Sequence, residues 1–381
     1  MSLLSRLSAP VAGDEPAHLV AAFPSGLPAA APAPAAPARR LPAGPTGLGT
    51  SGLRIGRKPP DKTTSVPELY CPGPVRDDPL LGEEVNDRLI AWAEEVGVYP
   101  GRLDQVRAAN YGRMIMLTHP DTDDPDRLLA AAKCVLAEFA ADDHYCDDES
   151  AGARPELLGP RLAIAMAAVD PAHLPVRYAP ELEQAMRDDP VLVALRSALE
   201  HLARYATWSQ VTRLRYEIDA LFVAFGQEAG WRTAGRLPPV WEYLAHRRFN
   251  SFLPCITLID PIVGYALPTA EYSHPRVRRV ITMAATASTL VNDLYSMTKE
   301  QHAGGLDFNL PTVIAAEEHC SLREAIERSA RIHDELVHTF EAEAALLRLD
   351  GSPALSRFLS GVWAWLGGNR EWHGSTTRYN G

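Results

Sequence analysis

Apolar residues recur at spacings of three and four along most of the chain from about Ser65 onward, the pattern of helices that each turn one face to a core. Read this way, the sequence predicts helices over residues 83–98, 126–142, 191–226, 276–300, 322–349 and 354–367. No stretch alternates apolar and polar residues between hairpin turns, so no sheet is expected. No repeat of solenoid period is present either, which favours one globular helical bundle over a stacked array. The expected fold class is all-α.

Asp-Asp-Pro occurs three times, at residues 77–79, 123–125 and 188–190, each time just ahead of an apolar run. An Asp side chain accepts from the free N–H groups of a first helical turn, Pro suits the first helical position, and negative charge suits the positive end of the helix dipole. All three are therefore read as helix starts. The cluster Asp121, Asp123, Asp124 and Asp126 lacks the Gly and the closing Glu of a calcium loop.

The first 62 residues follow another pattern: Pro and Ala in alternation from Leu27 to Pro42, Gly-rich turns from Gly44 to Gly52, and a basic patch from Arg54 to Lys62. Such a segment has too few large apolar groups to offset the entropy of ordering it. The expectation is a disordered tail over 1–62 and one helical domain over 63–381. Composition narrows the partners. With 46% hydrophobic residues, 22% charged residues and a formal net charge of −11, the chain does not suit general nucleic-acid binding, though a small anion held by local cations is compatible with it. Cys71, Cys134, Cys146, Cys255 and Cys320 are scattered without CxxC spacing, which suggests neither a disulfide framework nor a structural zinc site. The N-terminal residues form no apolar signal-peptide core, and no apolar run reaches transmembrane length. A soluble, cytoplasmic protein is expected.

Two polar constellations carry the chemistry. Asp142-Asp143-His144-Tyr145-Cys146-Asp147-Asp148-Glu149 lies at the end of a predicted helix, where carboxylates oppose the dipole. Leu128, Val135, Phe139 and Asp142 follow spacings of seven, four and three. Asp142 thus continues the apolar stripe and is expected to face inward, where a carboxylate needs a cation. A solvated acidic loop is the plain alternative. His144 and Cys146 lack the second His/Cys pair of a zinc site, and hard oxygen donors point instead to magnesium shared with a substrate phosphate. Downstream, Asn292, Ser296 and Glu300 are spaced i, i+4, i+8, so an amide oxygen, a hydroxyl and a carboxylate share one helical face and suit one divalent ion. Ala285, Ser288 and Thr289 before them are small, as for a helix that lines a cavity; a solvated polar face is the alternative here. Taken together, the two sets match the departure of a diphosphate from an allylic carbon, which needs positive charge on the leaving group and a dry apolar cavity.

At these residues the chain resembles the bacterial class I terpene cyclases, over essentially its whole length after the tail. That family pairs a DDxxD or DDxxxD/E motif with a downstream (N/D)DxxSxxxE motif, and residues 142–147 and 292–300 match in order and separation. The resemblance implies a helical bundle around a central active-site cavity and three Mg2+ ions. Asp142, helped through water by Asp143 or Asp147, would hold two of them, and Asn292, Ser296 and Glu300 the third. Residues 243–251 resemble the segment with the family's diphosphate-sensing arginine, which implies that Arg247 senses the diphosphate; Asn250 and Ser251 in the same segment, with Tyr379, are the other catalytic candidates. Arg378-Tyr379 is similar to the family's Arg-Tyr pair, so that Arg247, Lys299, Arg378 and Tyr379 would grip the diphosphate. Aromatic candidates for the cavity wall are Phe139, Tyr145, Phe222, Trp241, Trp363 and Trp372, with ordinary core packing as the plain alternative for each. Cys146 stands at the last position of the strict DDxxD form, and Asn250 and Ser251 stand where many members carry other residues. A narrower likeness, in the Pro/Ala-rich extension, residues 142–149 and the ending 369–373, is to the branch that acts on 2-methylgeranyl diphosphate and quenches a bicyclic cation with water. The implied partner is a prenyl diphosphate, with no nucleic acid and no membrane span, and a homodimer is left open. A sesquiterpene cyclase, a trans-prenyltransferase and a non-catalytic helical binding protein are the competing readings.

Overall fold

The computed structural model describes residues 66–147, 154–300 and 308–380. The side chains of Asp147, Thr298, Lys299, Glu300, Tyr379 and Asn380 lie outside that description, as does the whole of the expected tail. All described residues belong to one compact unit, Lys62–Gly381, and every regular element among them is helical. In chain order these are α1 (Pro79–Val96), α2 (Leu103–Ala109), α3 (Tyr111–Thr118) and α4 (Pro125–Asp142), followed by a π-helical turn (Asp143–Asp147). Next come α5 (Pro155–Val169), α6 (Ala179–Arg187), α7 (Pro190–Leu202), α8 (Trp208–Ala234), α9 (Val240–Arg247), α10 (Leu253–Ile256), α11 (Ile259–Val263) and α12 (Thr269–Tyr272). The C-terminal part holds α13 (Pro275–Glu300), α14 (Leu310–Glu317), α15 (Leu322–Asp350), α16 (Pro353–Ser375) and α17 (Thr377–Asn380).

The three Asp-Asp-Pro sites start α1, α4 and α7. Asp78 accepts from the Leu81 N–H, Asp124 from Asp126 and Arg127, and Asp189 from Val191, each with Pro in the first turn. The single helix expected over 191–226 is in fact two. The chain turns after Leu202, and Thr207 restarts it as α8 through a capping box in which the Thr207 hydroxyl accepts from Gln210 N–H and the Gln210 side chain accepts from Thr207 N–H. The apolar spacing runs through this break and hides it. α16 continues past 367 to Ser375, and its extra turns prove central to the site.

α3, α4, α13 and α16 supply the innermost surfaces. α4 is rich in alanine and closed off nearly all round, with Leu128, Val135, Leu136, Ala140 and Ala141 at 0% exposure. A small-residue helix lets its neighbours approach closely, and two glycines do the same for α3. A Cβ on Gly112 would run into the backbone of α1 at Gly82 and Asn86, and one on Gly368 would lie 2.7 Å from the Leu117 carbonyl carbon. α3 is thus pressed between α1 and α16 at contacts that only glycine permits. Among the described residues no helix is long and apolar enough to cross a membrane.

Candidate active site

α4 carries the first acidic set to its C-terminal end, where the backbone loosens into the π-helical turn instead of stopping. Such a turn shifts the side-chain register, so consecutive carboxylates part company. Asp142 is half-buried on the stripe shared with Phe139, whereas Asp143 is buried. Asp143 accepts the Tyr99 hydroxyl at 2.7 Å and the Arg378 Nη2 at 3.1 Å. Its charge is thereby matched, as a buried carboxylate requires. The Arg378 guanidinium also lies over the Phe139 ring, 4.7 Å from its centroid, so α17 is held against the end of α4 by both a charge and a ring face. Tyr99, in a left-handed backbone conformation (φ 56°), has its phenol pushed well above the usual range by burial and by the Asp143 charge. Asp147 falls outside the described side chains.

The second set divides across α13. Asn292 and Ser296 share one face, half-buried and buried respectively. Asp293, one position round, is fully buried on another side. It accepts from the Tyr243 hydroxyl at 2.8 Å and the Leu310 N–H at 3.1 Å, and is ion-paired with Arg247. Arg247 in turn donates through Nε to the Tyr243 hydroxyl at 2.8 Å and through Nη1 to the Asn250 carbonyl at 3.4 Å. The expected diphosphate sensor is therefore seated on the α13 motif itself. Although burial disfavours its charge, Asp293 outweighs that and holds the guanidinium above its ordinary range. Glu300 and Lys299 lie outside the described side chains.

The small residues ahead of Asn292 do not face open space. Ser288 accepts the Trp365 indole N–H at 3.2 Å, its carbonyl accepts from the Asn369 amide at 3.2 Å, and Thr289 accepts the Phe252 N–H at 3.3 Å. They are small because α16 and the start of α10 pack directly on them. This corrects the expectation of a bare cavity wall at 285–289.

α16 brings the two sets together. Trp372 lies 6.5 Å from Phe139, His373 follows it at 4.8 Å, and His373 Nε2 lies 3.3 Å from the Asn292 amide nitrogen. Tyr111, Phe252 and Trp365 complete the aromatic group, with Tyr111–Phe139 at 5.2 Å, Phe139–Phe252 at 6.4 Å and Phe252–Trp365 at 6.1 Å. Burial, reinforced by the Arg378 charge, pushes His373 down to about 4, so it is neutral at ordinary pH.

Of the six aromatic candidates, Phe139 and Trp372 belong to this group and four do not. Trp241 is 70% exposed on α9. Trp363 stacks on Phe340 of α15; nine helical positions separate it from Trp372, two and a half turns, which places it on the opposite face of α16. Trp365, seven positions before Trp372, was the tryptophan on the right face. Tyr145 donates its hydroxyl to Asp189 at the start of α7, and Phe222 pairs with Phe225 within α8.

Asn250 and Ser251 also separate. Ser251 is used locally, accepting from Leu253 N–H and donating to the Arg248 carbonyl around the start of α10. Asn250 reaches back to α8, donating to Glu228 at 3.3 Å. Glu228 accepts from Arg232 at 2.6 Å, and Arg232 donates to the Cys146 carbonyl at 3.1 Å. A polar chain thus runs from the π-helical turn through Arg232, Glu228, Asn250 and Arg247 to Asp293 on α13. Burial raises the Glu228 carboxyl, but His246 and Arg232 together outweigh it and hold the group well below the usual range. Glu228 and Arg232 escaped the sequence reading because an i, i+4 acid–base pair in a long helix is also what a solvated face looks like. Tyr99 gave no local signal at all.

The donors gathered here, carboxylate at the end of α4 and amide and hydroxyl on α13, are hard oxygens of the kind magnesium takes while leaving positions for water and phosphate. Arg378 supplies a planar fork suited to phosphate oxygens.

Known proteins resemble this chain in sequence and fold. Residues 133–339 match the family model for terpene synthase family 2, C-terminal metal binding. The chain is 42% identical over 360 residues, 90% of its length and 74% of the relative's, to a 2-methylisoborneol synthase of Streptomyces lasalocidi. It is 30% identical over 321 residues, 82% of its length and 73% of the relative's, to a (+)-T-muurolol synthase of Streptomyces clavuligerus that cyclises (2E,6E)-farnesyl diphosphate. A crystal structure of the 2-methylisoborneol synthase of Streptomyces coelicolor A3(2), in complex with Mg2+ and 2-fluoroneryl diphosphate, superposes with a TM-score of 0.79 at 40% identity, over 83% of this chain and 97% of that one. The chain belongs to the class I terpene synthases, all-helical lyases that act on prenyl diphosphates.

Proposed function

We propose that the protein is a magnesium-dependent cyclase that converts 2-methylgeranyl diphosphate to 2-methylisoborneol, with capture of water and release of diphosphate. The observation that carries this reading is the path Phe139, Trp372, His373, Asn292, which joins the two motifs through an aromatic surface. The chain around it keeps about two residues in five in common with relatives named 2-methylisoborneol synthase.

Bound magnesium supplies positive charge to the leaving diphosphate and orients it. Asp142, helped through water by Asp143 or Asp147, would hold two ions, and Asn292, Ser296 and Glu300 the third. Arg378, Tyr379 and Lys299 donate to the diphosphate oxygens, and Arg378 can turn from Asp143 to do so. Arg247, paired with Asp293, ties the diphosphate end of the site to α13. Negative charge developing on the leaving group is thus met by fixed donors, and no side-chain nucleophile is required. The allylic cation then recombines with the diphosphate at its tertiary carbon to give 2-methyllinalyl diphosphate, whose C–O bond breaks again after rotation; closure runs through 2-methyl-α-terpinyl and 2-methylbornyl cations, and the water that adds to the last gives up a proton to solvent or to the released diphosphate. Phe139, half-buried with Phe252, Trp365 and Trp372 packed around it, would offer a ring face to positive charge, and the apolar bulk of the group keeps water away until the final capture. The segment 1–62 takes no part in this chemistry.

The test is incubation of the purified protein and magnesium with geranyl, 2-methylgeranyl and farnesyl diphosphates separately, with volatile products identified by mass spectrometry. A bicyclic tertiary alcohol from the 2-methylgeranyl substrate is expected. A sesquiterpene from farnesyl diphosphate in its place would reassign the substrate within the family.

A further inference from the structure

Two hydrogen bonds of His373 bear on how Asn292 is turned. Its Nδ1 lies 2.8 Å from the Asn369 carbonyl, which can only accept, so Nδ1 carries the ring proton. The amide nitrogen of Asn292 stands 3.3 Å from Nε2 and can only donate, so the lone pair of the ring is at Nε2. The Asn292 carbonyl oxygen must then point the other way. An amide's two ends look alike in outline, but only its oxygen can ligate a hard divalent cation.

We propose that His373 is a positioning residue: by accepting from the Asn292 NH2 it fixes the amide so that the oxygen, not the nitrogen, faces the ligand side of α13. The inference rests on the magnesium and diphosphate reading above and extends it to a residue that touches neither metal nor substrate. The ring is well placed for the task. It is fully buried, wedged edge-on between Trp372 at 4.8 Å and Phe252 at 5.8 Å, with Tyr295 at 6.2 Å, so it cannot swing to offer its other nitrogen. It sits one helical turn beyond Asn369, whose own amide is bonded to the Ser288 carbonyl one turn before Asn292 on α13. α16 therefore sets both the height of α13 and the rotation of its first motif residue. Partners of this kind, which hold a ligand from behind, typically change metal affinity ten- to a hundredfold when removed.

The experiment has two parts. In the full-length protein with 15N-labelled histidine, NMR reads the His373 tautomer directly; protonation at Nδ1 alone is expected, and protonation at Nε2 overturns the proposal. In parallel, thermal stabilisation by Mg2+ with inorganic diphosphate gives an apparent Mg2+ affinity for the wild type, His373→Phe and His373→Gln, each with Asn292 and with Asn292→Asp. His373→Phe is expected to weaken Mg2+ at least tenfold with Asn292 in place. With Asn292→Asp the same change costs less than about threefold, because a carboxylate presents oxygen whichever way it turns. His373→Gln, which keeps an acceptor, recovers part of the loss and serves if the Phe variant does not fold. An equal loss in both backgrounds makes His373 a packing residue and overturns the proposal. Failure of the wild type to be stabilised at all counts against the magnesium reading itself, while the tautomer measurement still judges the hydrogen-bond assignment.

Discussion

Glu138 is one turn before Asp142 and only 7% exposed, and its sole described partner is the Cys255 thiol, which donates to Oε2 at 3.4 Å. Burial pushes its carboxyl up to about 8, so the folded protein keeps a proton that the unfolded chain releases near 4.5. The sign follows directly: its contribution to stability is full below about pH 4.5 and is lost as pH rises toward 8. Glu138→Gln removes this dependence. Urea unfolding at pH 5 and pH 8 is expected to show the wild type losing roughly 3 kcal/mol relative to the variant between the two, and parallel curves would mean that Glu138 is ionised in the native state. What the sequence told of individual residues depended on periodicity. Phe139 could be placed by counting along the apolar stripe of α4, whereas Trp372 lay beyond the end of the expected helix and Trp363 and Trp365, in one apolar run, could not be told apart by face. The pairing of Asp143 with Tyr99 and Arg378 could not be read from residue spacing, because the π-helical turn shifts the register there.

At the level of elements, helix starts were legible wherever Asp-Pro chemistry announced them, and the long helices α4, α13 and α15 were outlined by their apolar stripes. The break between α7 and α8 was not, since both helices are apolar at compatible spacing and the capping box at Thr207 lacks a proline. α8 deserves its separate identity, because it carries the polar chain from Cys146 to Asp293. If that chain works as one unit, its members are energetically coupled although Arg232 and Asn250 do not touch. Arg232→Ala and Asn250→Ala, singly and together, are therefore expected to show a coupling of about 1–2 kcal/mol in urea unfolding. Strictly additive losses would show that Glu228 serves each neighbour separately. The reason such a chain lies beyond sequence reading is physical: its links are 3 to 86 positions apart and only the packing of α8 against the rest brings them into line.

For the whole molecule, fold class and both motif positions were readable from sequence, whereas the way α16 closes the site was not, because the expected helix stopped before Trp372. The described residues belong to a unit that begins at Lys62, and the chemistry is assigned wholly within it. Removing residues 1–61 is accordingly expected to leave melting temperature and magnesium-dependent turnover within about twofold of the full chain. A larger loss would give the segment a part in folding or in the site.

The bond between Arg378 and Asp143 spans 235 positions. At ordinary rates of about 5–20 residues per second, a ribosome makes Asp143 some 10 to 50 seconds before the arginine that neutralises it. During that interval the Tyr99 hydroxyl is already made and can meet the Asp143 carboxylate, but the guanidinium that meets it in the folded protein is not. The N-terminal half of the bundle therefore emerges in a state that cannot close tightly, and final consolidation waits for the far end of the chain to be delivered.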